Sequence, residues 1–187
     1  MRAQAWFVAV VAMLALPASA LAKDTAVLGM ALEPPGLDPT AGAAAAISEI
    51  THYNIFEGLT KVNGDGSVTP LLAESWTISS DYETYTFKLR QGVKFQDGEP
   101  CTSAEVKFSF ERAVAEGSTN KDKAMFANIA AVETPDPATV VVTLKEPYPD
   151  LLFHLGLSPA VIVDRKSAAG NAQHPVGTGP FVFESWS

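Results

Sequence analysis

Cysteine and basic residues are scarce in this chain. Cys101 is the only cysteine among 187 residues, so no disulfide can form within the chain. Lysine and arginine together number 13 against 21 aspartates and glutamates, which gives a formal net charge of −8 at pH 7. A surface that binds nucleic acid needs basic side chains to neutralise phosphates. We therefore expect no nucleic-acid partner, and we interpret Cys101 as a small buried residue.

Catalytic and zinc-binding motifs are also missing from the sequence. His52, His154 and His174 are far apart along the chain, and neither an HExxH nor a CxxC motif occurs. The stretch GLSPA around Ser158 lacks the second glycine of a nucleophile elbow. We expect no metal, no cofactor and no enzymatic activity. A secreted hydrolase with an unrecognised site is the alternative, and it would require a serine within hydrogen-bonding reach of one of these histidines.

Long hydrophobic runs occur only at the N-terminus. Residues 1–22, MRAQAWFVAVVAMLALPASALA, have the order of a secretory signal peptide, with a positive residue, an apolar stretch and a final run of small residues. Cleavage after Ala20 and cleavage after Ala22 fit this pattern equally well, and a buried N-terminal helix is the alternative. No later stretch approaches the roughly 18 apolar residues of a membrane span. The sequence therefore predicts a protein of the bacterial periplasm or the extracellular medium.

Alternating and helical patterns predict a mixture of hairpins and helices. In the first half we expect a strand over TAVLGMALEP (25–34), a helix from the alanines near 43 to about Phe56, and a hairpin with NGDG at its tip. LLAESW (71–76) is interpreted as a turn of helix or an irregular link. A second hairpin is predicted over WTISSDYETYTFKLR (76–90), turning at Ser80-Asp81, in which Tyr85, Phe87 and Leu89 share one face.

The second half of the chain carries the clearest helix signal. Thr102 and Glu105 form a capping box at the start of a helix that Gly117 ends. We expect a second helix over about 121–131, a turn at TPDP, a strand in ATVVVTLKE, and a short helix from Asp150. The elements follow no strict βαβ order, so the pattern predicts an α/β or an α+β fold.

Residues 71–113 carry a family resemblance. The stretch LLAESWTISSDYETYTFKLRQGVKFQDGEPCTSAEVKFSFERA closely resembles the signature region of the family 5 solute-binding proteins, the extracytoplasmic peptide- and nickel-binding subunits of ABC transporters. LDP at 37–39, IFEGL at 55–59 and VGTGPF at 176–181 occur in the order that this family has them. The resemblance extends over nearly all of the chain after the signal peptide.

This resemblance implies an α/β fold of the type II periplasmic-binding-protein class, with mixed sheets, hairpins and flanking helices. Two lobes of such a protein close over the ligand, and an extra subdomain is characteristic of the family. The implied organisation is a signal peptide at 1–22, the start of lobe I at 23–47, the family-specific subdomain at 48–174 and a return to lobe I at 175–187. Members of the family are much longer than this chain, so we expect an N-terminal fragment in which lobe II is absent. In its last residues, Phe181 and Phe183 are expected to pair beside the opening strand around Val27 and Leu28.

The loop after the first strand borders the ligand cleft in this family. The resemblance therefore places Thr40, Ala43, Ala44, Ala45 and Ala46 near the ligand, where they would supply backbone amides and a flat apolar surface. The alternative is that these alanines simply begin a helix. The function implied is a periplasmic, monomeric substrate-binding subunit that captures peptides or related small solutes and delivers them to ABC permease subunits at the inner membrane. A non-functional remnant of a longer gene is a further alternative.

Overall fold

The computed structural model describes residues 25–186. The predicted signal peptide lies outside these residues. Residues 25–30 belong to a first unit and have no helix or strand, with Val27 93% and Leu28 87% exposed. The predicted opening strand is therefore wrong, because no strand among the described residues pairs with this segment. The remaining described residues, 31–186, belong to one compact unit.

The first hairpin is confirmed. Strands β1 (Thr60–Val62) and β2 (Val68–Pro70) pair antiparallel, with NGDG at the tip between them. The Asp65 carboxylate accepts hydrogen bonds from both the amide and the hydroxyl of Ser67, and Gly66 has a φ of 82°. A side chain at Gly66 would be strained in this left-handed conformation. The turn is therefore held by hydrogen bonds among its own residues.

Four antiparallel strands form the main sheet. These are β3 (Ala73–Ile78), β4 (Thr84–Leu89), β5 (Ile129–Asp136) and β6 (Thr139–Leu144), in the spatial order β3-β4-β6-β5. The interpretation of LLAESW as an irregular link is wrong, since β3 begins at Ala73 and Trp76 pairs with Phe87 of β4. The turn predicted at TPDP lies later, at 137–138, because β5 continues to Asp136 in its ladder with β6.

Two of the four helices among the described residues are shorter than their sequence patterns predict. The helices are α1 (Ala45–Thr51), α2 (Ser103–Val114), α3 (Lys123–Ala127) and α4 (Leu151–His154), followed by a 3₁₀ turn at Ser158–Ala160. α1 ends before Phe56 because Tyr53 has a left-handed φ of 62°, which no α-helix accommodates. α3 ends at Ala127 because the next residues enter the ladder between β5 and β6.

The core lies between α2 and one face of the main sheet. Tyr85, Phe87 and Leu89 of β4 are all buried, as their period of two predicts. Val106 and Phe110 of α2 pack into the same cluster. A second, smaller cluster joins residues just after α1 to the buried run that follows the 3₁₀ turn; its members are Ile55, Phe56, Val161, Val163 and Ala168. The two clusters fix the positions of the loops at the ends of α1, α2 and α4.

The segment at 181–186 forms no strand, and this part of the prediction is also wrong. Phe181 is 64% exposed, and its amide donates to the Asn54 carbonyl at 2.9 Å. The Gln96 side chain donates to the Phe181 carbonyl at 2.6 Å. Because both backbone groups of Phe181 bond to loops, this residue does not pair in a strand ladder. The predicted division at 47/48 and 174/175 stays a prediction.

The capping box on α2 provides a test of its contribution to stability. The Thr102 hydroxyl accepts from the Ala104 amide at 3.3 Å, and the Glu105 carboxylate accepts from the Thr102 amide at 3.2 Å. We expect Thr102→Ala to lower the free energy of unfolding by about 1 kcal/mol, since the Ala104 amide loses its side-chain acceptor. Urea unfolding followed by circular dichroism measures this change. Thr102→Ser keeps the hydroxyl and should unfold like the original protein; equal losses for both variants would contradict the capping role.

Candidate functional site

Thr40 is buried within a polar network. Its amide and hydroxyl both donate to the Asp38 carboxylate, at 2.9 and 2.6 Å, and only 8% of the residue is exposed. The Arg112 guanidinium donates to the Thr40 hydroxyl and to the second Asp38 oxygen, the latter at 2.7 Å. The hydroxyl that the sequence places near the ligand is thus bonded to the protein itself, and Thr40 supports the loop.

The predicted alanines divide between the loop and the helix that follows. Ala43 and Ala45 are exposed, Ala44 is half-buried, and Ala46 is 5% exposed. Ala45 is the first residue of α1, so the alternative that the alanines begin a helix is confirmed for Ala45 and Ala46. Ala43 and Ala45 present little more than backbone and a methyl group at the surface. Their contact with ligand stays a prediction.

This loop is joined to two other segments by side-chain hydrogen bonds, and we call residues 40–48, 118–122 and 156–160 the three-loop wall. Each segment bonds to both of the others. The three hydrogen bonds are Thr119 Oγ1 to the Ala41 carbonyl at 2.6 Å, Asn120 Nδ2 to the Pro159 carbonyl at 2.9 Å, and Ser48 Oγ with Ser158 Oγ at 2.7 Å. The closed arrangement links positions up to 110 residues apart and fixes the three segments relative to one another.

Asn120 holds the middle segment of the wall, and the sequence interpretation missed it. It is 5% exposed, and its side-chain oxygen accepts from the Asp122 amide at 2.9 Å while its Nδ2 donates to Pro159. A buried amide side chain with both ends bonded orders the chain around it. No local pattern distinguishes this asparagine, because its partner Pro159 lies 39 residues away.

His52 lies at the end of α1, behind the wall. Its ring stacks on Tyr53 with centroids 3.7 Å apart. Burial lowers the pKa of His52 to about 4; a hydrogen bond to the Gly156 carbonyl opposes this shift, and the positive charge of Lys121 adds to it. The Tyr53 hydroxyl donates to the same Gly156 carbonyl at 2.6 Å and accepts from the Val62 amide at 2.9 Å. The imidazole is therefore neutral at neutral pH and acts as part of the packing.

The lowered pKa of His52 predicts a pH dependence of stability. The ordinary histidine pKa of 6.5 applies to the unfolded chain and about 4 to the folded one, so only the unfolded chain binds this proton between those values. Stability should therefore fall as the pH drops from 6.5 towards 4. His52→Gln should flatten that slope in urea unfolding measured across this range. His174→Gln, at an exposed histidine, is the matched control; an unchanged slope in His52→Gln would contradict the assignment.

The hydrolase alternative required a serine close to a histidine ring. Within residues 25–186, no serine hydroxyl hydrogen-bonds to a histidine side chain, and Ser48 and Ser158 bond to each other. The charged neighbour of His154 Nδ1 is the Asp122 carboxylate, at 3.9 Å. Burial raises the pKa of the Cys101 thiol to about 12, so this residue is a poor nucleophile at neutral pH. The described residues thus contain no serine hydrogen-bonded to a histidine, and Cys101 is not an activated thiol.

The described residues contain no metal-binding group and no membrane-spanning helix. Their histidines, cysteines and acidic residues form no group of three or more that could hold a metal ion. None of their helices has the length and apolar character needed to cross a membrane.

Comparison with known proteins gives the family. The family described as bacterial extracellular solute-binding proteins, family 5 Middle, matches residues 67–187. The glutathione-binding protein GsiB of Salmonella typhi is 39% identical over 157 residues, which cover 81% of this chain and 30% of that protein. The chain thus spans about a third of the length of the relatives that it matches.

Solved structures agree with the sequence match. The PBP AgaA from A. tumefacien R10, in complex with agropinic acid, has a TM-score of 0.77 and 36% identity, covering 83% of this chain and 32% of that one. NikZ from Campylobacter jejuni, in complex with Ni(L-His), has a TM-score of 0.73 and 30% identity, with the same coverage. These neighbours confirm the predicted type II periplasmic-binding-protein fold class. The chain belongs to the family 5 bacterial extracellular solute-binding proteins.

Proposed function

We propose that this chain is part of a periplasmic substrate-binding subunit of an ABC importer, which captures peptides or related small solutes and delivers them to membrane permease subunits. The observation that carries the proposal is the family match over residues 67–187, together with a relative named for binding glutathione and with neighbours solved in complex with agropinic acid and Ni(L-His). The signal-peptide pattern at 1–22 supports a periplasmic location. The subunit binds its solute without catalysis and acts as a monomer.

Within this proposal, the three-loop wall faces the solute. Residues 23–47 begin lobe I, 48–174 form the family-specific subdomain, and 175–187 return to lobe I. Ala43 to Ala46 supply backbone groups and a flat apolar surface, while Thr40 braces the loop through Asp38 and Arg112. The hydrogen bonds between the segments of the wall support this role, because a binding surface has to be ordered before the ligand arrives.

Thermal unfolding of the complete gene product tests the proposal. A ligand that binds only the folded state raises the unfolding temperature by mass action. Di- and tripeptides, reduced glutathione, agropinic acid, a nickel–histidine complex and sugars form the panel. Stabilisation by peptides or other small acids, with a dissociation constant from calorimetry, is the expected result, and no stabilisation by any of them would overturn it. Mass spectrometry of the recovered solute distinguishes binding from hydrolysis, since a hydrolase returns cleaved peptide.

A further inference from the structure

The three-loop wall carries very few charges. Its segments at 40–48 and 156–160 contain no lysine, arginine, aspartate or glutamate, and the segment at 118–122 contains only Lys121 and Asp122. Asp122 is half-buried, with its Oδ2 atom enclosed and 3.9 Å from His154 Nδ1, whereas Lys121 is exposed. The only exposed charged side chain on the wall is therefore that of Lys121.

The backbone on both sides of Lys121 is fixed. Asn120, just before it, is buried and bonded to Pro159, and the Asp122 amide, just after it, donates to the Asn120 side chain. Thr119 attaches the same turn to the Ala41 carbonyl of the predicted cleft loop. The neighbours of Lys121 are thus directed into the protein. The anchored turn therefore fixes the position of the Lys121 backbone, while its flexible side chain is free to reach a ligand.

Lys121 also lacks a carboxylate partner among the described residues. Three basic side chains of residues 25–186 have one, namely Lys107 with Glu111, Arg112 with Asp38 and Lys166 with Glu99. No acidic group of these residues lies within 4.0 Å of the Lys121 ammonium. Its charge acts instead on His52, whose ring is neutral at neutral pH and offers no compensation. A lysine without an internal partner, on an otherwise uncharged surface, favours an anionic ligand group.

We propose that Lys121 binds a carboxylate of the captured solute, so that this wall selects acidic or zwitterionic solutes over neutral ones. This inference rests on the proposed function and adds a specificity-determining residue to it. The ammonium group donates to the ligand carboxylate, while the alanine surface beside it contacts the apolar part of the ligand. The chemistry requires one free carboxylate in the ligand and no metal ion.

The test compares a free acid with its amide in the complete gene product. The probes are the tightest-binding peptide or small acid of the panel above and the same compound with its carboxylates amidated one at a time. We expect Lys121→Gln to weaken binding of the acid at least about tenfold, because a charge-assisted hydrogen bond is lost. One amide should bind the Lys121→Gln variant and the original protein equally well. This is the amide in which the carboxylate that Lys121 binds has been replaced. Lys121→Arg should retain the preference for the acid.

Two matched variants control for nonspecific charge effects. Lys123→Gln removes the same charge two residues away, where the ammonium bonds to the Ala115 carbonyl, and Glu49→Gln removes an exposed acid just beyond the wall. Neither should weaken binding of the acid. Unchanged affinity in Lys121→Gln, or an equal loss for the acid and for every amide, overturns this inference while the proposed function stands. A panel in which no compound binds overturns both.

Discussion

Replacing Arg112 with methionine should lower the free energy of unfolding by about 3 kcal/mol, since it leaves the Asp38 carboxylate buried without its cation. Asp38 is 4% exposed, and its closest cationic contact is the Arg112 guanidinium at 2.7 Å. Removing one partner of a buried ion pair lowers stability far more than the whole pair raises it. The reason is that the remaining charge is desolvated and has no counter-charge. Methionine keeps the apolar stem of Arg112, so the loss reports on the charge. Urea unfolding followed by tryptophan fluorescence measures it.

Two further variants separate this effect from a general loss of contacts. Combining Arg112→Met with Asp38→Asn removes the uncompensated charge and should recover a large part of the lost stability. Lys107→Met breaks an exposed ion pair with Glu111 at 3.9 Å on the same helix and should cost only about 0.5 kcal/mol. A loss below about 1 kcal/mol for Arg112→Met, or no recovery of stability in the double variant, would contradict the role of Arg112 as the compensating cation of buried Asp38.

The network of Asp38, Thr40 and Arg112 adjoins the first segment of the three-loop wall. Arg112 lies in the last turn of α2, and Thr40 directly precedes Ala41, whose carbonyl accepts the hydrogen bond from Thr119 of the wall. A variant that releases Thr40 therefore loosens the first segment of the wall as well as the core. We infer that the buried pair orders the proposed binding surface, without contacting the solute itself.

Local sequence patterns predicted the elements whose hydrogen bonds are themselves local. The hairpin at NGDG, the capping box of α2 and the alternating face of β4 depend on residues a few positions apart, and all three are confirmed. The second hairpin is confirmed as β3 and β4, but β3 begins at Ala73, before the predicted start at Trp76, because its pairing with β4 overrides the weak preference of LLAESW. The helix predicted at 121–131 is cut short for the same reason, since β5 gains a full ladder with β6.

The candidate site was predicted less completely than the fold. The family resemblance pointed to the loop at 40–46, but the segments bonded to it at 118–122 and 156–160 come from distant parts of the chain. Sequence alone did not indicate that Thr40 would be buried or that Asn120 would anchor the wall. Both features depend on the partners Arg112 and Pro159, which only the folded structure brings close.

Replacing Gly177 with alanine should be among the most destabilising single changes in the chain. A Cβ atom at this position would lie 1.9 Å from the Ile55 carbonyl oxygen and 2.9 Å from Phe56 Cδ1. The oxygen cannot easily move aside, because it also accepts the Gly179 amide at 2.8 Å. Insertion of a methyl group against fixed backbone costs at the upper end of the range for overpacking, about 3 kcal/mol. The same urea unfolding experiment measures this loss.

Gly177→Ala should also loosen the hydrogen bonds around residue 177. The Gln96 amide donates to the Gly177 carbonyl at 2.9 Å, and the Thr178 hydroxyl donates to the Glu57 carboxylate at 2.8 Å, so a displaced residue 177 strains both contacts. Hydrogen exchange should therefore rise first in residues 176–181 and in the facing turn at 54–57. Gly64→Ala adds the same methyl group where no atom lies within 4 Å and should change stability by less than about 0.5 kcal/mol. Equal stability of the two variants would mean that the segment at 176–181 does not pack against Ile55 in solution.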